Sequence, residues 1–273
     1  MEKLFLRRNE PEEEQERMRN AGKNVWIERV RPRKKISRGP GKRVMPELVT
    51  TIRLDHESVV GIILLAGMDE FPDLEQTVLT PHELILGRAL RNSKRRREWL
   101  GARVALKILL LREGLIPEPR GCEVRKDEHG RPYLHFFLDL EPVKSVDCSL
   151  SHKDEYALAA FTASPGIRLG ADLEKISPRL TRLRSRFINK GDCLLAPAAE
   201  EACSAALWAL KEAASKVSGV GLKTGLSSFV CQEKADKICR IILPRGSPLE
   251  ATYFFLEDHV AAIAWMVGGQ KES

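Results

Sequence analysis

Ile167–Glu174, IRLGADLE, sets Leu169, Ala171 and Leu173 in alternation with Gly170, Asp172 and Glu174. Alternate side chains of a strand point to opposite faces, so the stretch predicts a strand over 167–174 with an apolar face and two carboxylates on the other. An Arg-rich helical stretch follows. SAALWALKEAASKVSGVGL (204–222) then predicts a helix over about 198–217, which buries Leu207, Leu210, Ala214 and Val217 and sets Trp208, Glu212 and Lys216 along another face at i, i+4, i+8. Strands are expected near SSFVCQ, ICRIIL, TYFFLE and VAAIAWMV. The same order occurs earlier in the chain. A strand over 58–67 leads through a loop to a long helix, RRREWLGARVALKILLLREG, and then to short strands near RPYLHFF, CSLS and YALAAFTA. Trp99, Arg103 and Lys107 repeat the spacing of Trp208, Glu212 and Lys216, which hints at a duplication. The expected fold class is α+β: two pseudo-symmetric halves, each a small, mostly antiparallel sheet packed on a long helix, with the active site at their interface. The halves are placed at 51–165 and 166–267, after an arm over 1–50 and before a tail over 268–273.

At 273 residues and 43% hydrophobic, the chain can fill a packed core. Its longest apolar run, Val59–Met68, is about half of the roughly 20 residues that a membrane span needs. With no signal-peptide pattern at its start, the expectation is a cytoplasmic protein. Cysteines 122, 148, 193, 203, 231 and 239 form no CxxC pair and no cluster with histidine, so reduced structural thiols are expected. The net charge of +7 sits in the arm: 14 of 45 Lys+Arg and 8 of 38 Asp+Glu fall in residues 1–50, leaving 31 and 30 elsewhere. RVRPRKKISRGPGKR reads as a solvated linker, and EEEQERMRN as helix-prone with a sparse apolar stripe.

Asp172 and Glu174 project the same way, and two like charges so close raise at least one pKa unless a cation compensates. Two readings are open: a solvated acid pair at a strand end, or ligands for Mg²⁺, which prefers hard oxygen donors and completes its shell with water and phosphate. The helix face has two readings as well. Glu212 and Lys216 make a favourable i, i+4 pair, yet Trp208 beside them favours a polar site next to the core. If strand and helix meet, three carboxylates and a lysine converge, a set suited to metal-assisted attack on a phosphate.

LGADLEKI followed by LWALKEAASKVSGVGL resembles the paired motifs of 4′-phosphopantetheinyl transferases, G-(V/I)-D-(V/I/L)-E and W-x-x-K-E-(S/A)-x-x-K. CSLSH (148–152) is similar to the family's N-x-S-H segment, HGRPYL to its G-K-P turn, and EWLGARVALK to its arginine-bearing first helix. The matches run in family order over residues 95–229 and resemble the single-chain, surfactin-synthetase-activating type. The resemblance implies two pseudo-symmetric α+β halves with coenzyme A between them. It also implies Mg²⁺-dependent transfer of phosphopantetheine to a serine of an acyl or peptidyl carrier protein, with release of adenosine 3′,5′-bisphosphate. Mn²⁺ accepts the same oxygen donors as Mg²⁺.

By matching position, Asp172, Glu174 and Glu212 are the implied metal ligands. Glu212 is the implied base, and Lys216 the group that stabilises or protonates the leaving phosphate. Arg103, Lys107, Arg131, Pro132, Ser151, His152 and Asp172 are the implied coenzyme A residues. Taken alone, His152 reads as a turn or cap residue and Arg131 as a basic turn; the order of the motifs reverses this for His152. The sequence departs from the family pattern at Ala171, at Cys148 for the usual Asn, at Lys153, and at INKGD, which lacks a common glutamate. A competing expectation, a non-catalytic module whose basic arm binds nucleic acid or an acidic protein, rests on residues 1–50 and finds no nucleic-acid motif beside it. Two halves in one chain make a monomer the expected state.

Overall fold

The computed structural model describes residues 15–16, 27–28, 45–54, 58–137, 146–195, 199–219, 225–235 and 237–267. The Arg/Lys-rich linker at 29–44 and the tail lie outside them. Within the arm, β1 (Gln15–Glu16) pairs antiparallel with β2 (Ile27–Glu28), so two residues expected in a helical stretch are extended. β3 (Thr50–Leu54) begins inside the stretch assigned to the arm.

The rest follows one plan twice. In the first series β4 (Ser58–Leu64) leads through α1 (Leu74–Val78) and α2 (Pro81–Ala89) to the long α3 (Ser93–Arg112). Four strands follow: β5 (Cys122–Lys126), β6 (Pro132–Phe136), β7 (Asp147–Lys153) and β8 (Tyr156–Thr162). In the second, β9 (Ile167–Lys175) leads through the short α4 (Pro178–Arg182) to α5 (Glu200–Ser218). Then come β10 (Val230–Ala235), β11 (Ile238–Ile242), β12 (Leu249–Leu256) and β13 (His259–Val267). The sheet orders are β3-β4-β8-β7-β6-β5 and β10-β11-β12-β13-β9. Removing β3 leaves the same wiring in both, strand–helix–four strands with the last strand paired to the first. All ladders within the two sheets are antiparallel. This is the α+β architecture that the two series predict.

Local chemistry explains the long helices. Asn92 caps α3 by accepting from the Arg95 N–H, and Thr80 with Glu83 forms a capping box ahead of α2. Gly219 ends α5 in the left-handed conformation at φ 72°. One face of each sheet buries against its own helix. The other faces pack on each other through Ile52, Val60, Ile62 and Leu158 on one side and Leu169, Ala171, Leu173 and Ile263 on the other.

The equivalence between the helices differs from the one that the Trp spacing suggests. Lys107 is fully buried and donates to Val78 O at 2.9 Å and Glu83 Oε2 at 2.6 Å; Glu83 in turn accepts from the Val124 N–H on β5. Lys211 repeats this, donating to Phe187 O and to Asp192 Oδ2, while Asp192 Oδ1 accepts from the Cys231 N–H on β10. Lys107 therefore matches Lys211, not Lys216. Spacing identifies a helix face but leaves the register between two helices undetermined.

Candidate active site

The halves meet where β9 lies beside β7. β9 is an edge strand of its sheet, and its outer N–H groups need acceptors. Every second residue of β7 supplies one: Asp147 Oδ2 accepts from Leu169 at 2.7 Å, Ser149 Oγ from Ala171 at 2.9 Å and Ser151 Oγ from Leu173 at 3.3 Å. Both strands have a period of two, so one row of side chains covers the whole edge. Gly170 completes the seam on the helix side, since a Cβ there would lie 2.2 Å from Ala213 O.

This packing sets Asp172 beside Lys216. The Lys216 Nζ donates to Asp172 Oδ1 at 2.8 Å and to Ala171 O at 2.7 Å, while Ser151 Oγ donates to the same Asp172 oxygen at 2.8 Å. Burial, with Asp172 nearby, pushes the Glu212 carboxyl up to about 7 against the pull of Lys216. Burial also raises Glu174, together with the charge of Asp172 and against a bond from Lys153, whose Nζ stands 2.7 Å from Glu174 Oε2. Three carboxylates thus act on one another electrostatically, and their two lysines do not cancel the strain on Glu212. An all-oxygen donor set of this kind is the chemistry that a hard divalent cation takes.

A cleft of about 290 Å³ opens next to it, lined among others by Arg103, Lys126, His129, Arg131, His152 and Lys216. The HGRP turn shapes one wall. Asp127 Oδ1 accepts from the N–H groups of His129 and Arg131, and Gly130 takes φ 82°. Arg103 is 4% exposed, lies 3.6 Å over the Trp99 ring, and has a buried Nε with no hydrogen-bond partner among the described residues. Burial lowers it to about 10, against the pull of Glu83. His152 Nδ1 lies 3.3 Å from Glu98 Oε2; burial lowers this histidine, and Glu98 opposes the shift.

The structure brings together Asp172, Glu174, Glu212 and Lys216, and it places Arg103, Arg131, Pro132 and His152 on the cleft. Two expected coenzyme A contacts change role. Lys107 is enclosed on Glu83 and does not reach the cleft, because α3 turns it into the core between α2 and β5. Ser151 is spent on Asp172 and the β9 edge, which makes it a bracket for the acid. Arg131 has a second duty: its guanidinium bonds Asp147 Oδ2 at 2.5 Å, Leu169 O at 3.1 Å and Lys216 O, tying the halves at the cleft. Lys126, His129, Trp99 and Glu98 were not among the expected site residues. The HGRP turn pointed toward the first two, whereas Glu98 reads in sequence as part of a solvated charge run.

Residues 168–264 match the family model described as the 4′-phosphopantetheinyl transferase superfamily. That segment is similar to the superfamily's domain. It spans β9 to β13, and so holds Asp172, Glu174, Glu212 and Lys216. The chain is similar to two curated relatives. A 4′-phosphopantetheinyl transferase psf-1 of Bacillus pumilus is 33% identical over 106 residues, covering 37% of this chain and 44% of the relative. A 4′-phosphopantetheinyl transferase of Bacillus subtilis is 29% identical over 133 residues, covering 47% and 55%. The chain thus spans about half the length of the curated relatives it matches. Among solved structures, a holo-(acyl-carrier-protein) synthase from Bacillus anthracis in complex with coenzyme A (3′,5′-ADP) is 24% identical, with a TM-score of 0.34 over 38% of this chain and 92% of that one. The holo-[acyl-carrier-protein] synthase of Thermotoga maritima is 23% identical, with a TM-score of 0.33 over 48% and 74%.

Proposed function

We propose that this chain transfers the 4′-phosphopantetheine arm of coenzyme A to a serine hydroxyl of an acyl or peptidyl carrier protein. The single observation that carries the reading is Asp172 held on Lys216, which lines a cleft rich in cations, with Glu174 and Glu212 near enough to act electrostatically on Asp172. Phosphoryl chemistry asks mainly for positioning and charge neutralisation, and this site offers both. The serine oxygen forms a bond to the β-phosphorus of coenzyme A as the bond from that phosphorus to the bridging oxygen breaks. Adenosine 3′,5′-bisphosphate departs.

In this reading Arg103, Lys126 and His152 receive the phosphates. Arg103 is suited to that duty because it lines the cleft, while its Nε lies 3.7 Å from Glu83 Oε1 on the core side. Arg131 and Pro132 shape the wall. Glu212, the carboxyl raised to about 7, takes the serine proton, directly or through water. Lys216 stabilises or protonates the leaving phosphate oxygen. Asp172, Glu174 and Glu212 would hold Mg²⁺, or Mn²⁺ on the same donors; when bound, the ion neutralises the pyrophosphate and polarises the reacting phosphorus. Residues 51–165 supply most of the coenzyme A wall and 166–267 the acids.

Two halves completing one cleft support action as a monomer. A cytoplasmic site of action belongs to the same reading, and no helix among the described residues is long and apolar enough to cross a membrane. The alternative of a non-catalytic binder rests on residues 1–50, of which only 15–16, 27–28 and 45–50 are described. The test is to incubate the chain with coenzyme A, Mg²⁺ and a panel of apo carrier proteins and to weigh the carriers. A gain of one phosphopantetheine mass is expected. No gain on any carrier, beside a working transferase, overturns the proposal.

A further inference from the structure

The hairpins β7–β8 and β12–β13 are equivalents under the repeat, turning through Asp154-Glu155 and Glu257-Asp258 with φ 47° at Asp154 and 52° at Glu257. Tyr156 and His259 follow the two turns and stack edge to face, 5.0 Å between ring centroids. Tyr156 donates across to Glu257 Oε2 at 2.9 Å. His259 does not return that bond. It is fully buried, its Nε2 has no hydrogen-bond partner among the described residues, and Glu155 Oε2 of the opposite hairpin stands 4.0 Å away. Its Nδ1 lies 2.8 Å from Asp258 Oδ1. An Nδ1–H donating there leaves the lone pair on Nε2, the tautomer that a metal ligand needs, held by a carboxylate as metal-binding histidines usually are.

Asp154 and Glu155 close the other side, and the donor atoms of these two and of His259 all lie within 4.8 Å of one another. We propose that Asp154, Glu155 and His259 form a Zn²⁺-class cation site that joins the first half's hairpin to the second half's. Tetrahedral Zn²⁺ with bonds of about 2.0–2.2 Å needs neighbouring donors roughly 3.4 Å apart, so the carboxylates close in by about 1 Å. They have the freedom, with side chains 36% and 41% exposed. Three lysines stand near, of which Lys153 acts on Asp154 only through its charge. Lys175 lies 3.0 Å from Asp258 and 4.0 Å from Glu155; Lys94, 65% exposed, lies 3.1 Å from Asp154. Lys175 steadies the carboxylate that orients His259, and Lys94 swings into solvent when the ion takes Asp154. An imidazole separates this site in preference from the all-oxygen set of Asp172, Glu174 and Glu212.

The experiment titrates the full chain with Zn²⁺ by calorimetry and chelator competition in excess Mg²⁺, with Co²⁺ absorption and thermal melts in parallel. One saturable Zn²⁺ equivalent, a raised Tm and a histidine-ligated Co²⁺ band are expected. Asp154→Asn with Glu155→Gln, both near the surface, should weaken Zn²⁺ at least 100-fold and remove the Tm rise; His259→Gln should do the same, and Glu212→Gln should leave the affinity unchanged. Absence of saturable binding, or binding undiminished in the Asp154/Glu155 double variant, overturns the proposal. If His259→Gln does not fold, that double variant decides. Transfer activity is not read, so the result stands apart from the proposed reaction.

Discussion

Replacing Gly170 by Ala tests the seam most directly. The added Cβ would meet Ala213 O at 2.2 Å, against the 3.4 Å at which ordinary contact begins, so β9 and α5 must separate by roughly 1 Å. Neither yields cheaply: the oxygen is helix main chain, and the far edge of β9 is bonded to Asp147, Ser149 and Ser151. Overpacking of this kind costs about 1–3 kcal/mol, and a main-chain clash belongs at the upper end, ~3 kcal/mol. At about 2–4 °C per kcal/mol, Tm should fall by roughly 6–12 °C. The separation also carries Glu212 and Lys216 away from Asp172, and a misplacement of about 1 Å costs on the order of 100-fold in rate. Gly61 on β4, beneath α3, is the internal control. Its Cβ would meet Leu109 Cδ2 at 2.9 Å, Leu48 Cδ1 at 3.0 Å and Leu109 Cγ at 3.1 Å, all side-chain atoms and none main chain, so Gly61→Ala should cost less than Gly170→Ala, about 1 kcal/mol. Thermal melts and carrier-loading rates of both variants make the comparison. Equal losses, or a Gly170→Ala Tm within about 2 °C of the parent, would refute the reasoning.

Because the folded Glu212 carboxyl is raised from 4.5 to about 7, the folded state holds that proton more tightly than the unfolded chain; its stabilising contribution is complete below 4.5 and is lost as pH rises through about 7. Glu212→Gln should flatten that part of the stability–pH curve and stop transfer while the circular dichroism spectrum is retained. Mg²⁺ added near pH 6.5 should displace the Glu212 proton, seen as a buffer-dependent calorimetric enthalpy that vanishes in Glu212→Gln. Lys211→Met strands Asp192, which is buried, and should cost ~3–5 kcal/mol in a urea melt. Lys107→Met should lower Tm for the parallel reason yet leave the KM for coenzyme A unchanged, whereas Arg103→Met should raise that KM; a raised KM in Lys107→Met would return Lys107 to the cleft.

The alternation in IRLGADLE and the apolar face of α5 were readable because each runs for several periods. The convergence of Asp172 with Glu212 and Lys216 was foreshadowed by residue type and order. Depth was not readable. Arg103 and Lys107 lie one turn apart on the same helix face, yet one lines the cleft and the other sits in the core, a difference set by α2, which is only nine residues long and gives a weak periodic signal. Ser149 and Ser151 were ambiguous for another reason. A hydroxyl on a strand face serves a ligand or a neighbouring main chain equally well, and only the crossing of β7 and β9 decides.

The row formed by Asp147, Ser149 and Ser151 has a consequence for the chain as a single piece. Cut between the repeats, the C-terminal fragment would present the amides of Leu169, Ala171 and Leu173 to water on an otherwise apolar strand, an open invitation to stack with other copies. Covalent fusion keeps the blocking hydroxyls permanently at hand, so solubility of one repeat is secured by the side chains of the other.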